Sequence, residues 1–126
     1  EKQVKVGLGT DVGAGTSFNQ LQTLNEAYKV QQLQGDKLSA FEALYHATIG
    51  GAKALDLDEK LGNFNIGKEA DFVVLDLKPT AIQALRQERA KGIDDAFFAL
   101  MTMGDDRNIH STYVFGQLAY SKSNAQ

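Results

Sequence analysis

The sequence has no cysteine, no tryptophan, a single proline and only two histidines. Without cysteine the chain can form no disulfide and offers no thiolate to a metal. Neither His46 nor His110 has a second histidine at i+2 or i+4, so neither opens a metal-ligand pair and each reads as structural or surface. A dominant charge is also lacking. Thirteen basic against sixteen acidic residues leave a net charge of -3, which gives neither a basic footprint for nucleic acid nor a polybasic membrane patch. No apolar run is long enough to cross a bilayer as a helix.

What remains is ordinary globular material. The hydrophobic fraction of 43% argues against disorder, and 126 residues suit one small domain or part of a larger one. Glu1 stands directly before an apolar pattern with no methionine, so an internal start, in a longer protein, is expected.

The chain is organised around Gly7–Ser17. Val4, Val6 and Leu8 alternate with Lys5 and Gly7, which predicts a strand. Gly7 and Gly9 predict close packing over its end. A helix is predicted from Phe18 to Gln34, with Ser17 as N-cap, Gln20 completing a capping box, and Gly35 just past its end. Ser39 and Glu42 form a second capping box, opening a helix that runs to about Leu55. Gly50 and Gly51 inside it each cost about 1 kcal/mol relative to alanine, so another element is expected to pack against that turn.

A composition shift near Leu57–Gly62 suggests a boundary, with residues 1–60 on one side and 61–126 on the other. Ala70–Asp76 predicts a buried strand, ended by Pro79. Thr80 and Gln83 cap a helix through Lys91, and Asp94 caps another from Asp95 to Met103, closed by Gly104. Asp105–Asn108 reads as a polar turn, solvated by default, whose Asp105, Asp106 and Arg107 can form a local ion pair or touch a substrate. Ile109–Phe115 and Gln117–Tyr120 flank Gly116 and predict a short strand with a bulge or tight bend. The tail from Ser121 to Gln126 is expected to fray, and Phe41, Tyr45, Phe97 and Phe98 are expected in the core.

Asp11 is the candidate for chemistry. A carboxylate where a strand has just ended can ligate a divalent metal and accept a proton, or it can bond its own backbone as a turn residue, and the local pattern leaves both open. The glycines do not fit a phosphate cradle, because neither Gly7 nor Gly9 starts G-x-G-x-x-G and no G-K-[ST] follows. Asp71 reads as structural, by capping or by pairing with a basic residue.

Three stretches together resemble the metal-dependent amidohydrolase superfamily: Gly9-Thr10-Asp11 after an apolar strand, Ala47–Leu55, and Leu61–Phe72. Gly9–Ser17 and Gly104–Ile109 are most similar to its guanine deaminase branch, and the likeness runs from Val4 to about Tyr120, weakest over Thr80–Lys91. The resemblance implies an α/β fold: the last strand and following helices of a (β/α)8 TIM barrel, plus the C-terminal strands of a small β-sandwich. It implies one zinc, held by a His-x-His pair, two further histidines and the aspartate matched by Asp11. It also implies hydrolysis of guanine to xanthine and ammonia by a cytoplasmic homodimer, with Asp11 and a glutamate moving protons. The other ligands, the glutamate and most of the purine pocket would lie upstream, so this piece alone is expected to be inactive. The alternatives are another aminohydrolase or chlorohydrolase of the superfamily, and a non-catalytic interaction module.

Overall fold

The computed structural model describes residues 4–124. The expectations about Glu1 and the last two residues therefore lie outside the described part. Helices and one antiparallel sheet follow each other in the order α1 (Gln20–Leu33), α2 (Ala40–Ala47), α3 (Ile49–Ala54), β1 (Phe72–Leu75), α4 (Ala81–Gln87), α5 (Ile93–Met103), β2 (Ile109–Val114) and β3 (Gln117–Ser121). Single 3-10 turns occupy Asp106–Asn108 and Lys122–Asn124.

The core lies where α1, α2 and α5 meet. Leu24, Ala43 and Met101 are its fully buried members, with Leu8, Tyr28, Leu38, Ala47 and Phe98 packed around them. Tyr28 meets Phe98 edge-on at 5.2 Å between ring centres, the arrangement that the ring quadrupoles favour. The aromatic expectation holds for Phe98 and fails for Phe41 and Tyr45, which are exposed. The reason is helical phase: α2 buries Ala40 and Ala43, and positions i and i+4 from Phe41 fall on its other side.

The second capping box forms as expected: Ser39 Oγ accepts from Glu42 N, and Glu42 Oε2 accepts from Ser39 N at 2.9 Å. The continuous helix expected from there does not form. Thr48, at φ -127° and ψ -107°, divides it into α2 and α3. Thr48 Oγ1 donates back to Leu44 O at 2.7 Å, and such back-bonding bends helices. The break frees the carbonyl of His46, which accepts from Leu8 N at 3.0 Å instead. It also lets the incoming segment come close: a Cβ on Gly7 would lie 2.7 Å from Gly51 Cα. The packing partner expected at this turn is thus the Gly7 segment at Gly51, whereas Gly50 faces the Tyr45 ring of α2.

Val4–Leu8 itself makes no strand ladder. No described strand lies alongside it, so its polar groups turn to helices. Leu8 N bonds to His46 O, Val6 O pairs with His46 Nδ1 at 3.1 Å, and Leu8 O accepts from Gln20 Nε2 at 3.0 Å. His46 is structural, as read from sequence. The cap of α1 also differs from expectation. Asn19, not Ser17, is the N-cap, accepting from Leu21 N at 2.8 Å, while Ser17 Oγ accepts from Asn19 N. Gln20 is thereby released from the capping box and reaches Leu8. At the other end Asp36 N bonds Gln31 O and Gly35 N bonds Gln32 O, the paired C-terminal closure expected of a glycine at that position.

In the sheet the strand order is β1-β2-β3, all antiparallel, with Phe72 opposite Tyr113 and Val114 opposite Gln117. The single bent strand expected around Gly116 is a two-stranded hairpin, because Phe115 and Gly116 both take positive φ and reverse the chain. A register shift at Thr112/Tyr113 supplies the irregularity. Strand β1 is less buried than expected: Val73 and Val74 are both exposed, since no described layer covers that part of the sheet. Asp71 is structural, but its partner is backbone: Oδ1 accepts from Phe115 N at 2.8 Å, and Ala70 O accepts from Gly116 N. Helix α4 is capped by Thr80, as expected, and ends at Gln87 rather than Lys91. Helix α5 begins at Ile93 after an uncapped Gly92, so Asp94 lies in its first turn instead of capping it. Ser121 belongs to β3, so the tail is regular at least to Asn124.

Candidate active-site loop

Leu8 anchors one end of the loop in the core and Gln20 begins α1 at the other. The bond from Gln20 Nε2 to Leu8 O closes the neck between them. Within the loop Asp11 adopts φ +49°, a left-handed conformation that aspartate tolerates better than most residues. Its carbonyl accepts from Ala14 N at 3.0 Å and from Gly15 N at 2.6 Å. The turn thus uses the Asp11 backbone and leaves the carboxylate exposed, with no described side chain paired to it. A free carboxylate at a rigidly closed turn can bind a cation or take a proton. It is one donor only. No group of three or more histidine, aspartate or glutamate side chains converges to hold a metal among the described residues.

The expectation that Gly9 packs closely is not met: a Cβ there would meet nothing within 4 Å. Gly15 is the residue for which sequence reasoning found no individual role and the structure finds one. Its Cα lies so close over Thr10 that a methyl group would penetrate the Thr10 carbonyl, 2.9 Å from its carbon and 3.1 Å from Asp11 O. Gly13, with φ +107°, provides the reversal but stands in open space.

Thr16, at the far side of the loop, shares a polar cleft of about 330 Å³ with Asn25, Gly104 and Asp105. The two stretches that carried the finer resemblance are therefore neighbours. Asn25 Nδ2 donates to Thr102 O at 3.2 Å, tying α1 to α5 beneath the cleft. Beside it, Arg107 Nε donates to Asp105 at 3.0 and 3.1 Å and its NH2 to Oδ2 at 2.5 Å. The polar turn is thus a closed ion pair. The same carboxylate accepts from Arg107 N at 2.9 Å. The guanidinium first, and then the backbone N–H, hold the Asp105 carboxyl below its ordinary value.

That shift sets a pH dependence. A depressed folded-state value means stability that is present above about pH 4, where unfolded aspartate titrates, and is lost as pH falls through the lower folded value. The Arg107 side chain is 59% exposed, so solvent screening limits the contribution to about 0.5–1 kcal/mol. Asp105→Asn keeps a capping oxygen and removes the charge. Its unfolding free energy from urea titration should change less between pH 5 and pH 2.5 than the parent's, to about that extent. Parallel curves for the two proteins would show that the pair contributes nothing.

The amidohydrolase family profile matches residues 1–119. The guanine deaminase of Escherichia coli (strain K12) is 59% identical over 123 residues, covering 98% of this chain and 28% of the relative. Its solved structure superposes with a TM-score of 0.92 at 60% identity, over 94% of this chain and 28% of that one. A guanine deaminase from Bradyrhizobium japonicum gives 0.87 at 36% identity, over 95% and 32%. An adenosine deaminase from Xanthomonas campestris with bound zinc gives 0.67 at 21% identity, over 86% and 24%, a likeness of fold. The chain spans less than a third of the length of each of these proteins. It belongs to the amidohydrolase family.

Proposed function

We propose that the chain is the C-terminal part of a zinc-dependent guanine deaminase, which hydrolyses guanine to xanthine and ammonia. In this reading residues 1–60 form the last strand and following helices of a (β/α)8 barrel, and residues 61–126 return to a small β-domain. One observation carries it: Asp11, just beyond the Val4–Leu8 segment, stands unpaired among the described residues, in a chain that superposes on the E. coli enzyme with a TM-score of 0.92. The exposed side chains of Val4, Val6, Phe18, Val30 and Leu33 support the barrel assignment, because apolar surface of that extent calls for a covering layer.

A carboxylate oxygen is a suitable zinc donor, so Asp11 fits one ligand position. The remaining ligands belong to the rest of the protein. Zinc, when bound, supplies an acidified water for addition to the carbon that carries the exocyclic amine. Asp11 Oδ would serve there as the proton acceptor and would return the proton to the nitrogen that leaves as ammonia. The turn bonds on its carbonyl fix the backbone from which that carboxylate projects.

The test is substrate choice by the intact protein. Its kcat/KM for guanine should exceed that for adenine by about 10³-fold or more, the scale available to a site that hydrogen-bonds one ring edge. Turnover of adenine or cytosine in preference to guanine would transfer the chain to another aminohydrolase of the family.

A further inference from the structure

We infer that Gly15 is the positioning residue that aims Asp11. The inference rests on the reading of Asp11 as zinc ligand and proton acceptor. It starts from one peptide plane. The Thr10 carbonyl and the Asp11 nitrogen belong to the same rigid unit, and rotation of that unit changes Thr10 ψ and Asp11 φ together. Gly15 sits on the carbonyl side of this plane, where a Cβ would penetrate Thr10 O and come within 2.9 Å of Thr10 C. These are backbone atoms, so the clash cannot be relieved by a side-chain rotamer. Only rotation of the plane or opening of the turn relieves it. Opening the turn breaks the bond from Gly15 N to Asp11 O, at 2.6 Å. Rotation removes Asp11 from φ +49° and redirects its Cα–Cβ bond. Either way the carboxylate leaves its position.

Among the described residues the other glycines of the loop have no such leverage: a Cβ at Gly9 or Gly13 meets nothing within 4 Å. Gly15 therefore acts through Asp11 by steric exclusion, and its requirement is for the absence of a side chain. Its φ lies outside the left-handed region, so backbone freedom is not what the position demands.

The experiment uses the intact zinc-loaded enzyme with Gly15→Ala, Asp11→Asn and Gly67→Ala. Gly67, outside the loop, is the control: its φ of +92° makes alanine strained there, and among the described residues nothing lies within 4 Å of its Cβ position. Zinc retention against a chelator, kcat and KM for guanine, and the thermal midpoint are measured for each. Gly15→Ala should weaken zinc retention about 10–100-fold and lower kcat about 100-fold, with KM nearly unchanged. Gly67→Ala should lower the midpoint and keep both zinc and turnover. Parental zinc retention and kcat in Gly15→Ala, beside a defective Asp11→Asn, would overturn the role of Gly15 and leave that of Asp11 standing. Parental behaviour of Asp11→Asn would overturn the reading of Asp11 and this inference with it. Equal losses in Gly15→Ala and Gly67→Ala would reduce Gly15 to a stability residue, which also overturns it. If Gly15→Ala is insoluble, the double variant Asp11→Gly, Gly15→Ala decides, because glycine at 11 accepts the rotated plane. The double variant should fold, and its insolubility would overturn the inference.

Discussion

On the guanine deaminase reading proposed above, replacing Asp11 by asparagine in the intact protein should lower kcat for guanine by about 10³-fold, the range that a positioned proton acceptor supplies, with the fold unchanged. Asparagine suits this test for a backbone reason. Asp11 sits at φ +49°, and asparagine shares aspartate's tolerance of that region. The bonds from Ala14 N and Gly15 N fall on the Asp11 carbonyl, which the substitution leaves in place. The carboxylate is exposed and unpaired among the described residues, so without zinc the variant should unfold within about 0.5 kcal/mol of the parent, as surface substitutions do. What it loses is a negative oxygen donor and a base. Conversion of guanine to xanthine followed by ultraviolet absorbance, with zinc content measured on the same sample, checks both losses. Turnover within tenfold of the parent at full zinc occupancy would remove Asp11 from the mechanism.

Local signals were legible where they depend on neighbours in sequence. The Ser39–Glu42 capping box, the Thr80 cap and the closure of α1 at Gly35 form as read, because each is a bond between residues a few positions apart. Signals that depend on distant chain were not legible. Periodicity marked Val4–Leu8 as a strand, yet a ladder needs a neighbour, and the segment instead bonds to His46 and Gln20. The interruption at Thr48 was hidden because Phe41 to Leu55 carries an adequate helical pattern. It becomes intelligible only when Leu8 N is seen to require His46 O. At the candidate site, motif likeness picked out Asp11 and its loop. It did not distinguish Gly15 from Gly9 and Gly13, because the distinction lies in which backbone atoms face each Cα.

Asn108 is the plainest case of a residue underestimated from sequence, and its substitution should be among the most damaging to stability. The turn Asp105–Asn108 looks solvated, yet Asn108 is 1% exposed. Its amide has two donor hydrogens and two acceptor sites, and all are engaged. Nδ2 donates to Asp76 O at 2.7 Å and to Gln83 Oε1 at 3.4 Å, while Oδ1 accepts from Asp105 N at 2.9 Å and from Gln83 Nε2 at 3.2 Å. Gln83, also buried, passes the network on to Met103 O at 2.7 Å. One side chain thus ties the end of β1, the start of α4, the end of α5 and the turn into β2. Asn108→Ala would remove the partner of the part-buried Asp76 carbonyl and Asp105 N–H and leave the buried Gln83 amide with only its bond to Met103 O, and each group left unpaired costs about 1–3 kcal/mol before relaxation. With partial relaxation the net loss should be about 2–4 kcal/mol, comparable to truncating a large core side chain. Asn108→Leu restores volume and so separates cavity from polarity. It should destabilise nearly as much as alanine, because the Asp76 and Asp105 backbone groups remain unpaired. Urea unfolding of the intact protein measures all three. A leucine variant as stable as the parent would show that the site needs filling rather than bonding. The expected loss in both variants would identify the amide as the joint through which the sheet is held to α5, and through α5 to the helix that carries the Asp11 loop.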